Sequence, residues 1–253
     1  MCYFISKLTC CFTSFVLLSY FANCEEYFEN YYDEVDSDEN PASRNAVRWN
    51  AQKWPNNIIP YTFSDEYTPA QRDTVERALR YFNENTCVRF EQRNKSTTIN
   101  GERGVVYTTS GKRCGTKVGY QTLPATTHNV FLSPLCLTIP GAVQHETMHV
   151  MGIFHEQSRF DRDEYIDIDW TNIDIQNYHN FIKVPVEYAK PYDVPYDYGS
   201  IMHYSEYAFA KNPLKKSIKV RSDKVNPFPR LGQLIKPSEG DIQKINRMYK
   251  CCK

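Results

Sequence analysis

Beyond residue 50, apolar positions fall into short runs of strand type and stretches with helical spacing. The run 58–63 is apolar and rich in β-branched residues, which predicts a strand. Thr68 is a predicted helix cap, because Pro69 suits the first turn and Gln71 can complete a capping box. The apolar face of this helix has four members at helical spacing, Val75, Ala78, Leu79 and Phe82.

Three more strands and a late helix complete the predicted elements. The strands cover 88–92, 105–109 and 130–132, and Ser238 caps a helix that runs into Cys251. That helix turns three side chains inward, Ile242, Ile245 and Tyr249. From Trp49 onward no linker-like composition divides the chain, so the pattern predicts one α+β domain.

The first 24 residues have the composition of a signal peptide. Lys7 is the only charge, an apolar run covers 8–22, and small residues precede a cleavage point at Cys24. The run is short for a membrane span, although a signal anchor is the alternative interpretation. No later stretch is apolar enough to cross a bilayer.

Charge divides the chain into an acidic leader and a basic body. Residues 25–44 contain eight acidic side chains and one basic one, whereas 45–253 contain 28 Lys and Arg against 22 Asp and Glu, a net charge of +6. Attraction between the acidic leader and the basic body suits a pro-segment that is held on its own catalytic domain. A solvated acidic linker is the alternative interpretation. The overall balance of 30 against 30 gives no indication of nucleic-acid binding.

Secretion is consistent with the cysteines and with a glycosylation motif. Five cysteines remain after residue 24, so at least one lacks an intramolecular partner. Asn94 begins Asn-Lys-Ser, an acceptor sequence for N-glycosylation.

The segment 141–149 carries the chemistry. His145 and His149 are four residues apart on a predicted helix, so their side chains share one face and can bind one Zn²⁺ ion. Glu146 adjoins the first ligand without occupying a ligand position, which suits a general base. Gly152 can end the helix in the left-handed conformation and return the chain so that His155 becomes the third ligand.

Three neutral imidazoles leave one coordination position open, which is typical of a catalytic site rather than a closed structural one. His128, His179 and His203 lack ligand spacing. The sequence therefore predicts one catalytic zinc ion per chain.

The longer pattern His-Glu-x-x-His-x-x-Gly-x-x-His is that of the metzincin peptidases. Its continuation, in which Glu156 directly follows His155, resembles the astacin branch of that clan. The segment 200–204, Ser-Ile-Met-His-Tyr, resembles that branch's methionine turn, and Lys-Trp-Pro-Asn at 53–56 also matches. The resemblance extends from about Arg44 to Cys251.

This resemblance implies a zincin-like catalytic domain over 45–253. Its N-terminal half holds a mixed, twisted sheet and the active-site helix, and its less regular C-terminal half ends in a helix. It implies that Met202 is an apolar floor beneath the zinc and that Tyr204 is an extra metal ligand that stabilises the oxyanion. It also implies two disulfides, Cys87–Cys251 and Cys114–Cys136, which leave Cys252 as the odd thiol.

The resemblance further implies activation by cleavage. A trypsin-like protease would cut after Arg44, and the new amino terminus at Asn45 would pair with Glu156. An ordinary arginine in a loop is the alternative interpretation of Arg44. The family's Phe-x-Gly-Asp leader motif is absent, and the choice among Asp33, Asp36 and Asp38 as zinc-blocking acid stays open.

These observations predict a secreted zinc endopeptidase that hydrolyses extracellular protein substrates. The main alternative is a secreted binding protein that retains the fold without catalysis; such proteins usually lose a ligand or the base, and this chain retains both. A structural zinc module fits poorly, because no fourth strong ligand closes the site.

Overall fold

The computed structural model describes residues 53–94, 104–109, 113–120, 128–186, 189–221 and 231–252. The predicted signal peptide at 1–24, the acidic segment at 25–44 and Asn45 lie outside these residues. No helix in the described ranges has the length and apolar character needed to span a bilayer.

A five-stranded sheet forms the first half of the domain. Its strands are β1 (Ile58–Phe63), β2 (Arg89–Gln92), β3 (Val105–Thr108), β4 (Gly115–Thr116) and β5 (His128–Phe131), in the order β2-β1-β3-β5-β4. All neighbours are parallel except β4 and β5, which are antiparallel. The mixed sheet is thus confirmed, while β4 had no counterpart in the sequence prediction.

Helix α1 (Pro69–Asn85) covers this sheet and has the predicted cap. The Gln71 amide donates to Thr68 Oγ1 at 3.3 Å, and the Thr68 amide donates to Gln71 Oε1 at 2.9 Å. The four predicted apolar side chains of α1 are buried. They pack with Ile59, Val105 and Tyr107 of the sheet in the larger of two apolar clusters. The buried face of α1 is therefore the apolar face that the helical spacing predicted.

Helix α2 (Pro140–Val150) packs against α1 beneath the sheet and is buried from Gly141 to its end. After α2 the structure consists mainly of 3₁₀ turns, the antiparallel pair β6 (Ile166–Ile168) and β7 (Ile218–Val220), and a second apolar cluster. The chain returns to the first half through helix α3 (Glu239–Met248). The expected irregular C-terminal half that ends in a helix is therefore confirmed.

Two disulfides join distant parts of the described chain, and both are the expected pairs, Cys87–Cys251 and Cys114–Cys136. The first ties Cys251, three residues after α3, to Cys87, two residues before β2, across 164 positions. Cys252 is exposed and has no disulfide partner among the described residues.

We expect the Cys87→Ser/Cys251→Ser variant to lose about 2–5 kcal/mol of unfolding free energy, because the cross-link closes a very long loop in the unfolded chain. Urea denaturation of the purified protein measures this loss. Cys252→Ser is the matched control and should leave the midpoint unchanged; an equal effect of both variants would contradict the expectation.

Candidate metal centre

Helix α2 carries His145 and His149 on one face, and the close packing of its first turn fixes the direction of that face. A side chain at Gly141 would collide with the Leu234 carbonyl, since an added Cβ would lie 1.9 Å from that oxygen. His145 and His149 then project from one face, and both are buried. Because residue 141 is glycine, the first turn of α2 can pack directly against the backbone of Leu234, shortly before α3.

Gly152 reverses the chain after α2, as predicted. Its φ is +97°, which favours glycine, and its amide donates to the His149 carbonyl at 2.8 Å. The Ile153 amide donates to the Met148 carbonyl at 3.1 Å. The turn brings half-buried His155 back toward the helix.

The three imidazoles converge at their Nε2 atoms. His145 Nε2 lies 3.1 Å from His149 Nε2 and 3.2 Å from His155 Nε2, and the last two are 3.1 Å apart. Within the described part of the chain, these three residues are the only group of His, Cys, Asp or Glu side chains arranged to share a metal ion.

Backbone carbonyls set the tautomers of the two helical ligands. His145 Nδ1 lies 2.8 Å from the Ile201 carbonyl oxygen, and His149 Nδ1 lies 2.8 Å from that of Ile153. A carbonyl can only accept, so each Nδ1 carries the proton and each Nε2 keeps its lone pair. Burial lowers the pKa of His145 to about 4 and that of His149 to about 3, and it lowers the pKa of His155 well below its usual value.

These residues fit a zinc ion. The centre of the Nε2 triangle is about 1.8 Å from each nitrogen, slightly less than the usual Zn–N distance of roughly 2.0–2.1 Å. The three nitrogens are therefore close enough together to hold one ion in common. Three neutral nitrogen donors are also a set that zinc prefers.

Glu146 lies on α2 beside this triangle and is 1 % exposed. Its negative charge is close enough to contribute, after burial, to the raised pKa of Tyr107 on β3. Glu146 is therefore a buried charge on the helix that carries the first two ligands.

The segment 200–204 closes the other side of the site. Met202 is fully buried in the first apolar cluster, whereas Tyr204 belongs to the second. The Tyr204 ring lies 4.6 Å from the His155 ring, centroid to centroid, and its amide donates to Gln157 Oε1 at 3.2 Å. The structure thus places the Tyr204 ring against the third ligand, and the role of Tyr204 as an extra metal ligand stays a prediction.

Glu156 has several buried partners. Its Oε1 accepts from Arg159 Nη1 at 2.9 Å and from the Asp197 amide at 3.0 Å, and its Oε2 accepts from Lys244 Nζ at 2.5 Å. Burial favours the neutral carboxyl, but the positive charges of Lys244 and Arg159 outweigh it and keep the pKa of Glu156 below its ordinary value. The expected partner, Asn45, lies outside the described residues.

Sequence reasoning missed the residues behind the ligands. Asp241 and Lys244 of α3 and His203 of the methionine turn are all buried. Tyr196 Oη donates to His203 Nε2 at 2.8 Å, and His203 Nδ1 donates to the Tyr204 carbonyl at 2.7 Å. A signal existed for one of them: Ser238-x-x-Asp241 is a capping box, and the structure contains it.

Asn94 is exposed and lies two residues after the edge strand β2. The other two residues of its acceptor triplet lie outside the described residues. Its glycosylation therefore stays a prediction.

Comparison with known proteins agrees with this site. The profile of the Astacin peptidase family matches residues 46–250. Zinc metalloproteinase nas-4 of Caenorhabditis elegans is 36 % identical over 217 residues, which cover 84 % of this chain and 64 % of that protein. The low choriolytic enzyme of Oryzias latipes is 33 % identical over 224 residues, 83 % of this chain and 75 % of that one.

Among solved structures, high choriolytic enzyme 1, a hatching enzyme zinc-protease from Oryzias latipes, has a TM-score of 0.68 at 33 % identity. The alignment covers 79 % of this chain and 94 % of that one. The chain spans less than two-thirds of the length of these nas relatives, 64 % of nas-4 and 51 % of nas-7. With a family match over most of its length and a zincin-like fold, the chain belongs to the astacin family.

Proposed function

We propose that this chain is a secreted zinc-dependent endopeptidase that hydrolyses peptide bonds of extracellular proteins. The observation that carries the proposal is the convergence of three Nε2 atoms within 3.2 Å beside Glu146. Relatives bearing the names zinc metalloproteinase and hatching enzyme zinc-protease support it. The alternative, a non-catalytic binding protein with this fold, is disfavoured because every ligand and the base are present.

The chemistry divides between the metal and two side chains. Zinc held by His145, His149 and His155 supplies Lewis-acid polarisation of the scissile carbonyl and lowers the pKa of a water molecule. Glu146 takes the proton of the attacking water and delivers it to the leaving amine. Tyr204 donates a hydrogen bond from its neutral phenol to the oxyanion. Met202 forms the apolar floor of the site.

Activation is proposed on sequence grounds with one supporting feature of the structure. Residues 1–24 direct secretion, and a trypsin-like protease removes the acidic pro-segment 25–44 by cleavage after Arg44. A cavity lined by Lys53, Glu156 and Lys244 lies next to His155. Asn45 is eight positions before Lys53, a reach of roughly 26–29 Å when extended, so the new amino terminus can enter this cavity beside Glu156.

We expect Glu146→Gln to retain zinc and to lose activity by about 10²–10⁴-fold, because the general base is removed while the three ligands stay. Metal analysis and casein hydrolysis measure the two effects, and a chelator should stop the wild-type reaction. Glu164→Gln, an exposed glutamate, is the matched control. Wild-type activity in Glu146→Gln would refute the assignment.

We expect Tyr204→Phe to lower kcat by about 10²–10³-fold with little change in KM, because the lost donor acts on charge that develops in the transition state. Steady-state kinetics on a fluorogenic peptide measure both constants. Tyr207→Phe removes a phenol three positions further along the chain and should behave as wild type. A change confined to KM would contradict the role of Tyr204.

We expect the mature secreted protein to begin at Asn45, and Arg44→Ala to block this trimming, because trypsin-like enzymes require a basic residue before the cut. Amino-terminal sequencing of protein collected from medium provides the measurement. Arg48→Ala, a nearby basic position, is the control and should be trimmed normally. Fully active enzyme that starts before Arg44 would defeat the proposal.

A further inference from the structure

Helix α3 carries two buried charges on the face that meets the metal centre. Asp241 is 0 % exposed and Lys244 is 6 % exposed. They are three residues apart, so they lie on one side of the helix, one above the other. Charged side chains are rarely buried without partners. Here each partner is a residue that contacts a metal ligand or directly follows one in the sequence.

Asp241 leads to the first ligand. Its carboxylate accepts from Ser200 Oγ at 2.6 Å and from the Ile201 amide at 2.9 Å. The carbonyl of the same Ile201 receives the Nδ1 proton of His145. Asp241 therefore holds the residue whose carbonyl orients His145.

Lys244 leads to the third ligand. Its Nζ donates to Glu156 Oε2, and Glu156 directly follows His155. The Glu156 amide donates to the Met202 carbonyl at 2.8 Å, which ties the same residue to the methionine turn. The ion pair therefore anchors the backbone that carries His155 on the side away from α2.

The pair is sensitive to the loss of one partner. Glu156 is 0 % exposed, so its carboxylate depends on the polar groups packed against it. Arg159 also contacts Glu156 Oε1, but both of its terminal nitrogens are engaged elsewhere as well, by Asp161 and by the Val194 carbonyl. Without Lys244, Oε2 loses its cation, and the loop must move to expose or re-pair the carboxylate.

We propose that Lys244 is a positioning residue for the metal centre, acting on His155 through Glu156; this rests on the proposed function, since it assumes that the three histidines hold zinc. Outer partners of metal ligands commonly change metal affinity by about 10–100-fold when removed. Lys244 touches neither the metal triangle nor any group that reacts, so its effect on catalysis is indirect.

The test is zinc affinity, measured on the purified full chain by competition with a chelator dye and without substrate. We expect Lys244→Met to weaken zinc binding about 10–100-fold and to alter the visible absorption of the Co²⁺-loaded protein. Lys244→Arg, which keeps the cation, should restore affinity to within about threefold of wild type. Arg247→Met removes an exposed cation from the same helix and should change neither quantity.

A double-mutant cycle separates positioning from general destabilisation. In a Glu156→Gln background, Lys244→Met should change zinc affinity by no more than about twofold, because the route through Glu156 is already lost. This comparison decides the matter even if Lys244→Met alone fails to fold. A full tenfold effect in that background, or an unchanged zinc affinity and cobalt spectrum in Lys244→Met, overturns the proposal.

Because no substrate is used, a protein that binds zinc but cleaves nothing would refute the peptidase proposal and leave this one standing. Conversely, a Lys244→Met variant with unaltered zinc binding would refute this inference without bearing on peptidase activity.

Discussion

Three neutral imidazole nitrogens that point their lone pairs at one another repel unless a cation lies among them. In this chain His145 and His149 cannot relieve the repulsion by switching tautomers, because the carbonyls of Ile201 and Ile153 hold their other protons in place. Burial also opposes protonation of all three rings. The arrangement therefore favours a metal ion shared by the three nitrogens.

The domain maintains this arrangement by joining two apolar clusters at the site. Helix α2 belongs to the cluster beneath the parallel sheet, and the methionine turn connects that cluster, through Met202, with the second one, through Tyr204. The helical ligands thus come from one half of the domain, while Tyr204 packs with the other. Ligand sites are common where two packed units meet, which agrees with the proposed endopeptidase activity.

The sequence predicted those features that depend on neighbours along the chain. The cap at Thr68, the strand β1 and the ligand motif from His145 to His155 all follow from spacings of a few residues, and the structure contains each one. The resemblance to a family supplied what spacing alone could not, namely the disulfide pairs and the approach of Tyr204 to the site.

The features that sequence reasoning missed depend on long-range contacts. Lys244 meets Glu156 across 88 positions and Asp241 meets Ile201 across 40, and no local periodicity encodes such pairs. The strands β4, β6 and β7 have only two or three residues each, too few for an alternation to be recognised. The apolar pattern of α3 turned Ile242, Ile245 and Tyr249 inward and gave no sign of Lys244, while the capping box with Ser238 was the only local signal for Asp241.

The disulfide between Cys87 and Cys251 has a consequence for the order of events during synthesis. A ribosome completes the histidine motif about a hundred residues before it adds α3 and Cys251. Until then the loop after His155 has no lysine to anchor it, and the Ile201 peptide has no aspartate to fix it. A nascent chain therefore carries all three imidazoles before it has the α3 side chains that contact Ile201 and Glu156.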